Sequence, residues 1–434
     1  MRADRHTADS YYEASRRYRV EAEALRGAHK ADVVVIGGGI TGASTALHLA
    51  EKGVDVALLE SRHFGWGASG RSGGQIITGF SADQRALERL VDRDTAQQLW
   101  AHSVAAVEWT RRRIARHRID CDWASGYLHV AVKPGQARDL RRWAEHLSAH
   151  YRCEGLQYLD RPRLQEMLAS ERYSGAVFDP QSGHLHPLNY CLGLTRAARE
   201  AGARLYQHSA VTGVEAPRAG GGAITVRTGA GTVACQQVVY ACNAYLDGLQ
   251  PHLAATIMPV GTYIVATEPL PAGMADALIA NRAAVADTNL ALDYYRLSAD
   301  ARMLFGGRVS YSTWQPRRLA RSLRRRMLGV FPQLADARID YAWGGLVAIT
   351  RNRAPHIGCL DSGSQWFAQG FSGHGMALTG YVGGLLADAV SGQRQGLECF
   401  RKIPHKTFPG GPALRTPALV AVMAGRRLLD ALSR

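Results

Sequence analysis

The sequence contains no apolar run that approaches the roughly 20 residues needed to span a bilayer. Charged residues are scattered through positions 1–29, so no apolar stretch typical of a signal peptide is present there. The seven cysteines are an odd number at irregular spacings, with no C-x-x-C pair and no cysteine and histidine cluster at zinc spacing. These absences predict a cytoplasmic protein with reduced cysteines and no membrane segment.

The sequence also lacks the residue spacings of a nucleophilic catalytic site and of a metal site. No serine, histidine and aspartate set, and no cysteine and histidine set, stands at a recognisable spacing, so nucleophilic catalysis is not indicated. His184 and His186 lie two residues apart, but no carboxylate or cysteine pair accompanies them. We therefore expect no metal site.

Lysine provides five of the 52 basic residues, so arginine carries nearly all of the formal net charge of +15. The densest arginine runs, at 111–113 and 324–326, lie in helical patterns and are typical of solvated helix faces. Neither run is interleaved with the aromatic residues of a single-strand binding track. We predict no nucleic-acid partner, although a basic surface would raise the local concentration of an anionic substrate.

Residues 32–60 carry every position that a dinucleotide-binding βαβ unit requires, in order. A β-branched run ends in G-x-G-x-x-G, formed by Gly37, Gly39 and Gly42, and a helical pattern and a second apolar run follow. The first glycine permits the tight turn, the second leaves room for a pyrophosphate at the helix N-terminus, and the third lets helix and strand pack closely. Glu60 stands where an acid accepts from a ribose 2′-OH. The segment predicts a nucleotide cofactor.

Two further glycine-rich segments lie far from this unit, at residues 64–75 and 370–376. A nicotinamide dehydrogenase needs one βαβ fingerprint, whereas the isoalloxazine ring of FAD must also be held along one edge by small residues. A helix N-terminus opening at residues 373–376 would supply N–H groups and a positive dipole end to the side of the ring that gains charge on reduction. The sequence therefore predicts FAD rather than NAD.

The order of elements predicts an α/β protein, α+β overall, in which a Rossmann-like FAD-binding domain is interleaved in sequence with a second, antiparallel-sheet substrate domain. Strand-like alternation at 256–311 carries no nucleotide signature and marks the second domain. Helical patterns run over 82–118 and 188–200, a small-residue helix ends at Val390, and at most a short surface helix is expected at 417–432. The predicted boundaries are an N-terminal arm at 1–29, a FAD-binding domain from 30–115, 175–250 and 338–400, a substrate domain from 116–174 and 251–337, and a C-terminal tail at 401–434.

The glycine-rich segments together resemble the superfamily of glycine oxidases, sarcosine oxidases and D-amino acid oxidases, which are FAD-dependent amine oxidases. They read GGGITG at 37–42, GWGASGRSGGQ at 65–75 and GFSGHGM at 370–376. The chain is similar over nearly its whole length to the gamma-glutamylputrescine oxidases within that superfamily. The closer resemblance rests on SYYEAS at 10–15, ERYSGAV at 171–177, GHLHPLN at 183–189, LDYYRLSAD at 292–300 and PHKTFPGGPALRTP at 404–417.

The resemblance implies roles for individual residues. Glu60 would hold the adenosine with Val211 closing over the adenine, unless Val211 is an ordinary strand residue. His374 would donate to the flavin or cap a helix, and Trp343 would wall the flavin pocket or pack in the core. The predicted catalytic residues are Arg71, His374, Tyr295 and Arg296, the last two as pocket residues unless their strand packs them in the core. The predicted cofactor-binding residues are Gly37, Gly39, Ile40, Thr41, Gly42, Glu60, Ser69, Gly70, Arg71, Ser72, Gly73, Gln75, Val211, Gly345, Gly373, His374, Gly375 and Met376.

The same resemblance implies FAD-dependent oxidative deamination of a primary amine, in putrescine breakdown. Sarcosine oxidase-like members attach FAD to a late cysteine, and Cys359 does not align with it, so we predict non-covalent FAD. Gamma-glutamylputrescine would give gamma-glutamyl-aminobutyraldehyde, ammonia and hydrogen peroxide. Sarcosine oxidase-like members use a lysine above the flavin to react with oxygen, and this chain has no lysine between Lys133 and Lys402. A quinone or a protein therefore stays open as acceptor beside oxygen. Other amines or amino acids, such as sarcosine, glycine, proline or a D-amino acid, are alternative substrates, and a flavin-containing RNA-directed or regulatory protein is the alternative of another class.

Overall fold

Three β-sheets and the helices packed on them build the protein, as a computed structural model shows. The structure describes residues 10–216, 222–246, 248–289, 292–310, 318–360 and 363–410. Residues 1–9 of the predicted arm and residues 411–434 of the predicted tail, with the expected surface helix, lie outside the described residues. The mixed α/β class that the sequence predicts is confirmed.

Nineteen strands and twelve α-helices make up the described part of the chain. The strands are β1 (Gly27–Lys30), β2 (Val33–Ile36), β3 (Val56–Leu59), β4 (Gln75–Ile76), β5 (Ala124–Ala131), β6 (Gln157–Asp160), β7 (Gly175–His184), β8 (Arg204–Tyr206), β9 (Val211–Glu215), β10 (Ile224–Thr228), β11 (Gly231–Cys235), β12 (Gln237–Tyr240), β13 (Ile257–Thr267), β14 (Ala284–Asp287), β15 (Tyr294–Leu297), β16 (Met303–Ser310), β17 (Ile339–Thr350), β18 (His356–Cys359) and β19 (Gln365–Gln369). The helices are α1 (Tyr11–Ala14), α2 (Ile40–Glu51), α3 (Gln84–Leu87), α4 (Arg93–Arg116), α5 (Pro134–Tyr151), α6 (Arg161–Met167), α7 (Pro187–Glu200), α8 (Pro251–Ala254), α9 (Met274–Leu278), α10 (Leu319–Leu328), α11 (Gly375–Val390) and α12 (Gln395–Arg401).

The six-stranded sheet has the order β18-β19-β12-β2-β3-β8, and every pair except β18 with β19 is parallel. Strands β2 and β3 are buried along their whole length, as their unbroken apolar sequences require of a sheet covered on both faces. One face packs on α2, α7 and α11. On the other face, Val34 and Ile36 pack in one cluster with Val226 and Val233 of the four-stranded sheet β1-β11-β10-β9.

Small residues let α2 and α11 approach closely. A Cβ on Gly383 would lie 2.8 Å from the Thr41 carbonyl oxygen. The Ser44 hydroxyl donates to the Gly380 carbonyl oxygen at 2.6 Å. The small-residue helix that the sequence predicts before Val390 is thus observed, and it lies against the helix that follows the first glycine turn.

The nine-stranded sheet has the order β17-β13-β16-β15-β14-β5-β7-β4, with β6 paired to β7. All of its pairs are antiparallel except β14 with β5. One face, which carries Ile264 and Trp343, joins the core shared with the six-stranded sheet. The opposite face carries Phe305 and packs under α10. Because consecutive strand residues point to opposite faces, Tyr294 and Tyr295 face different cores.

The predicted boundary at residue 338 does not coincide with a change of sheet. β17 pairs with β13 along its length, from Ile257 opposite Thr350 to Thr267 opposite Ile339. The chain enters the six-stranded sheet only with β18. A strand of 12 residues needs partners for its backbone groups, and β13 supplies them. The domain boundaries themselves stay a prediction.

The described part of the predicted N-terminal arm packs on the body of the protein. The Tyr12 side chain is fully buried and meets the Trp343 ring edge-on, with 5.2 Å between ring centroids. The Tyr11 hydroxyl donates to Asp300 Oδ1 at 2.6 Å. The arm therefore supports the same face of the nine-stranded sheet that carries Trp343.

Candidate functional site

Glycines shape the turn between β2 and α2. Gly37 has φ +108°, which side chains rarely adopt, and a Cβ on it would lie 2.8 Å from the Ala241 carbonyl oxygen. A Cβ on Gly42 would lie 1.9 Å from the Gly37 carbonyl oxygen, so strand and helix pack here only with glycine. The N-cap is Gly39, which has no side chain to satisfy the first N–H groups of α2. This open helix N-terminus is suited to an anion.

Glu60 follows β3 and turns its carboxylate back to this turn. Its Oε2 accepts from the Gly38 N–H at 2.7 Å, and its Oε1 accepts from the Arg62 N–H at 2.8 Å. The remaining carboxylate lone pairs are what a ribose hydroxyl would need. Val211 lies on the neighbouring segment, where the Ser209 N–H donates to the Glu60 carbonyl oxygen at 2.8 Å. The structure thus brings the end of β3, where Glu60 lies, next to the segment that leads into β9, where Val211 lies.

The second glycine loop contacts the N-terminal turns of two helices. The Ser69 hydroxyl oxygen accepts from the Ile40 N–H of α2 at 2.9 Å. The Ser72 hydroxyl donates to the Met376 sulfur of α11 at 2.9 Å. The three glycine-rich segments that the sequence analysis predicted separately therefore meet in one place.

Arg71 joins this loop to β17. Its Nε donates to the Trp66 carbonyl oxygen at 2.7 Å and its Nη1 to the Gly344 carbonyl oxygen at 3.1 Å. A Cβ on Gly345 would lie 3.2 Å from the Arg71 Cβ. The Arg71 Nη2 is buried and has no hydrogen-bond partner among the described residues. Burial lowers the pKa of this guanidinium, which remains charged. An unsatisfied cationic donor indicates an acceptor on a bound molecule.

Tyr294 forms the wall of the nine-stranded sheet that faces this loop. A Cβ on Gly73 would lie 2.9 Å from the Tyr294 ring, and one on Gly306 would lie 2.1 Å from it, so the ring fits between glycines. The Gln75 side chain is tied to the same sheet, because its Nε2 donates to the Val285 carbonyl oxygen at 3.0 Å. Burial raises the pKa of the Tyr294 hydroxyl, which therefore stays protonated. A crevice with no room for a water molecule lies beside this wall, among Gly73, Gln75, Ile264, Tyr294, Tyr295, Arg296, Leu304 and Gly306.

Tyr295, which the sequence analysis named as a pocket residue, has its ring on the opposite face. The ring stacks on Phe305 with 5.4 Å between centroids, and its hydroxyl lies 3.0 Å from the Tyr173 hydroxyl. The side chain is 1% exposed. The sequence analysis named Tyr295 and Arg296 together as pocket residues unless their strand packs them in the core, whereas alternation along β15 puts Tyr294 on the face of Arg296 and sends Tyr295 into the other core. That alternation was the signal that could have selected Tyr294.

Arg296, predicted as a pocket residue, uses its donors on the protein itself. Its Nε donates to the Gly73 carbonyl oxygen at 2.7 Å. Its Nη2 donates to the Leu185 carbonyl oxygen at 2.9 Å and to the Tyr12 hydroxyl at 3.2 Å. The side chain is 3% exposed. The structure therefore places Arg296 where it fixes the loop around Gly73 rather than where it presents a free donor.

His374 is the N-cap residue of α11, but its side chain makes no capping hydrogen bond. Burial, with a smaller contribution from His129, lowers the pKa of His374 to about 4. Burial also lowers the pKa of His129 to about 4. His129 lies in one cross-strand row with Ala286 and Tyr294. Both imidazoles are thus neutral at neutral pH, and His129 has no motif or spacing that sequence reasoning could have used.

The remaining singled-out residues have structural partners. The His184 ring lies 2.8 Å from a backbone carbonyl oxygen, and His186 caps α7 by accepting from the Asn189 N–H at 3.1 Å. Within the ranges that the structure describes, no group of three or more His, Cys, Asp or Glu side chains is placed to hold a metal ion. The buried Trp343 donates through Nε1 to the Arg71 carbonyl oxygen at 3.0 Å and so supports the second glycine loop.

The assembled residues fit FAD. The glycine turn could offer helix N–H groups to a pyrophosphate, and Glu60 could offer carboxylate oxygens to a ribose. The second loop and the α11 N-terminus provide small residues and backbone donors for a flat ring system. The Nη2 of Arg71 is a buried donor without a partner among the described residues, and an acceptor on a bound molecule would satisfy it. Of the predicted catalytic set, Arg71 and His374 belong to this place, whereas Tyr295 points away from it.

Comparisons with known proteins agree with this chemistry. A profile described as FAD dependent oxidoreductase matches residues 32–389. The chain is 41% identical over 413 residues to gamma-glutamylputrescine oxidoreductase of Escherichia coli (strain K12), with 95% of each chain covered. It is 40% identical over 425 residues to the probable oxidoreductase OrdL of Haemophilus influenzae, with 97% of each chain covered.

Solved structures share the fold. Glycine oxidase from Geobacillus kaustophilus superposes with a TM-score of 0.72 at 24% identity, covering 86% of this chain and 98% of that one. L-proline dehydrogenase from P. horikoshii superposes with a TM-score of 0.70 at 22% identity, covering 84% of this chain and 94% of that one. Among the described helices, none is both long enough and apolar enough to cross a membrane.

Proposed function

This chain belongs to the family of FAD-dependent oxidoreductases, and from that premise we propose that it oxidises gamma-glutamylputrescine. The terminal CH2–NH2 group, water and oxygen are converted into gamma-glutamyl-aminobutyraldehyde, ammonia and hydrogen peroxide. The observation that carries the proposal is the 41% identity to a gamma-glutamylputrescine oxidoreductase over 95% of both chains. Such a match is not confined to the nucleotide-binding unit, which enzymes of many functions share.

FAD, when bound, would supply the acceptor for the two electrons that leave with hydrogen from the carbon next to the amine. We assign its pyrophosphate to the N–H groups of the turn at 37–42 and its adenosine to Glu60 and Val211. The flavin edge is assigned to the loop at 69–75, to Gly345 and to the α11 N-terminus at 373–376. The supporting contacts are those from Ser69 to Ile40 and from Ser72 to Met376, which join the three segments.

The walls of the site favour a neutral amine. An alkylammonium has no lone pair to assist the loss of hydrogen with its electrons from the neighbouring carbon. A low-polarity surround disfavours the charged form of an amine. Tyr294 and its glycine neighbours form surroundings of this low polarity. The imidazoles of His374 and His129, whose pKa values burial lowers to about 4, stay neutral and are available as hydrogen-bond acceptors.

We assign the glutamyl carboxylate to Arg71. Its Nη2 is a buried donor with no acceptor in the described part of the chain. The Nε and Nη2 of Arg296 already donate to backbone carbonyl oxygens and to the Tyr12 hydroxyl. A guanidinium with a free N–H binds a carboxylate with the stronger, charge-assisted type of hydrogen bond. Arg296 is instead assigned the positioning of the loop at Gly73.

The finer parts of the proposal are oxygen as the acceptor, non-covalent FAD and a cytoplasmic location. All seven cysteines are free thiols, which supports a reducing compartment. Non-covalent binding is checked by acid precipitation, which then leaves the yellow FAD in the supernatant. Colour that stays with the precipitated protein contradicts it.

Steady-state kinetics test the substrate. Purified, FAD-loaded protein is assayed for aldehyde and peroxide with gamma-glutamylputrescine, putrescine, sarcosine and D-alanine. We expect kcat/KM for gamma-glutamylputrescine to exceed each of the others by at least about tenfold. Putrescine has no carboxylate and leaves the buried Arg71 donor unpaired, and sarcosine and D-alanine carry their carboxylate one carbon from the amine instead of at the far end of a long chain. A higher kcat/KM for sarcosine or D-alanine contradicts the assignment.

A further inference from the structure

An open cavity of about 350 Å³ lies on the side of the nine-stranded sheet away from Tyr294. Helix α10 covers that side by packing Leu323 and Met327 into the core of Phe305. Asp293 immediately precedes Tyr294 and points to the opposite face, into the cavity. The cavity is therefore separate from the proposed flavin site. Its lining consists of Arg172, Asn289, Asp293, Arg325, Arg326 and Gly329.

The lining carries a surplus of positive charge. Three guanidinium groups face a single carboxylate, that of Asp293, which is 1% exposed. Asp293 Oδ1 accepts from Arg326 Nε at 2.6 Å, and Asp293 Oδ2 lies 3.7 Å from Arg172 Nη2. One carboxylate neutralises one of the three positive charges. The cavity thus keeps a surplus of two.

Two donors in the lining remain for a ligand. The Nε of Arg172 is buried and has no hydrogen-bond partner among the described residues. Arg325 is exposed in the last turn of α10 and forms no ion pair with any described residue. A buried N–H without an acceptor is disfavoured, and an anion in the cavity would satisfy it.

We propose that this cavity is a binding site for a phosphate dianion, either free or on a small phosphorylated molecule. Phosphate carries close to two negative charges at neutral pH, which matches the surplus, and its several acceptor oxygens match the fixed forks of arginine. The Arg172 Nε and the Arg325 guanidinium bind it. The ion pair between Arg326 and Asp293 forms the wall of the cavity that the phosphate contacts.

Thermal unfolding of the FAD-loaded protein tests the site with inorganic phosphate as the probe, at constant ionic strength set with sodium chloride. A ligand that binds the folded state raises Tm in a saturable way. We expect such a rise for the unaltered protein. Arg325→Ala, which removes an exposed side chain, is expected to raise the phosphate concentration of the half-maximal effect by about tenfold, as loss of a charge-assisted contact does.

Arg321→Ala is the matched control, because Arg321 is exposed on the same helix and does not line the cavity. It removes the same charge and should leave the phosphate effect unchanged. The proposal is overturned if phosphate shifts Tm no more than chloride does, or if both variants weaken the effect equally. If a phosphorylated sugar raises Tm at a lower concentration than inorganic phosphate does, the ligand of the cavity is a small phosphorylated molecule and not free phosphate.

Discussion

The Ser69 hydroxyl oxygen accepts a hydrogen bond from the Ile40 N–H at 2.9 Å, so the second glycine loop rests on the helix that the first glycine turn begins. In the sequence the two motifs are separate glycine-rich segments. In the structure they form one surface, made of the N-terminus of α2 and the loop that contacts it through Ser69. A change in either segment is therefore expected to affect the binding of FAD at both.

Substitution of Gly39 tests that surface. A Cβ at Gly39 would lie 2.8 Å from Ser69 Oγ, so Gly39→Val displaces the loop and fills the approach to the helix N-terminus. We expect the purified variant to lose nearly all of its FAD, measured by flavin absorbance per protein. Gly213→Val is the control, because a Cβ there meets open space. A yellow, fully loaded Gly39→Val protein would refute this account of the turn.

Arg71→Lys keeps the positive charge but loses the guanidinium fork that reaches Trp66 and Gly344 and that we assign to the glutamyl carboxylate. We expect kcat/KM for gamma-glutamylputrescine to fall by at least about tenfold, because a lysine cannot make these bonds together. Arg62→Lys is the control, since the Arg62 guanidinium also lies over the Trp66 ring, at 5.1 Å from the centroid. An equal loss for putrescine, which has no carboxylate, would remove Arg71 from the carboxylate role.

Replacing each tyrosine of β15 in turn by phenylalanine distinguishes the role of Tyr294 from that of Tyr295. Tyr295→Phe loses the contact with the Tyr173 hydroxyl, so the free energy of unfolding should fall by about 1 kcal/mol while KM stays unchanged. Tyr294→Phe changes the wall of the proposed amine site and should alter kcat or KM by about threefold or more. Denaturant unfolding and steady-state kinetics on both variants give the comparison. The reverse pattern would return Tyr295 to the pocket.

Arg296→Ala leaves the carbonyl oxygens of Gly73 and Leu185 without their donor. We expect the free energy of unfolding to fall by about 2–4 kcal/mol, because buried polar groups lose their partners. FAD content should fall with it, since the loop at Gly73 is released. The ratio of KM for gamma-glutamylputrescine to KM for putrescine should not change. A rise in KM confined to gamma-glutamylputrescine would show that Arg296 binds the substrate carboxylate.

The buried His184 makes stability depend on pH. Burial, with the Arg296 charge, lowers the pKa of His184 to about 3. The unfolded state takes up a proton below its ordinary pKa of about 6.5, whereas the folded state does not, so the free energy of unfolding falls as pH falls. Between about pH 7 and pH 5 this amounts to about 2 kcal/mol.

His184→Gln should remove that share of the pH dependence. Its effect is measured by urea unfolding of the variant and the parent protein at both pH values. His252→Gln, at an exposed position, should keep the parent's pH dependence. If His184→Gln unfolds with the same pH dependence as the parent, His184 does not stay neutral in the folded protein.

The parts of the site that could be predicted from the sequence are those formed by residues close together in the chain. The glycine turn, the acid after β3 and the small-residue helix each have a local pattern that chemistry dictates. Arg296 could not be assigned in this way, because its acceptors at Leu185 and Gly73 lie 111 and 223 residues away in the chain. His129 enters the site only through strand pairing with β14. Such contacts depend on the order of strands in the sheet, which no single segment specifies.

The most direct test of the central claim is anaerobic titration of the FAD-loaded protein with gamma-glutamylputrescine, followed by admission of air. We predict that the yellow absorbance of the flavin is lost with this amine, and not with sarcosine or D-alanine, and that colour returns in air with formation of peroxide. Bleaching that air does not reverse would show another electron acceptor. Absorbance that stays unchanged with gamma-glutamylputrescine would contradict the proposed function.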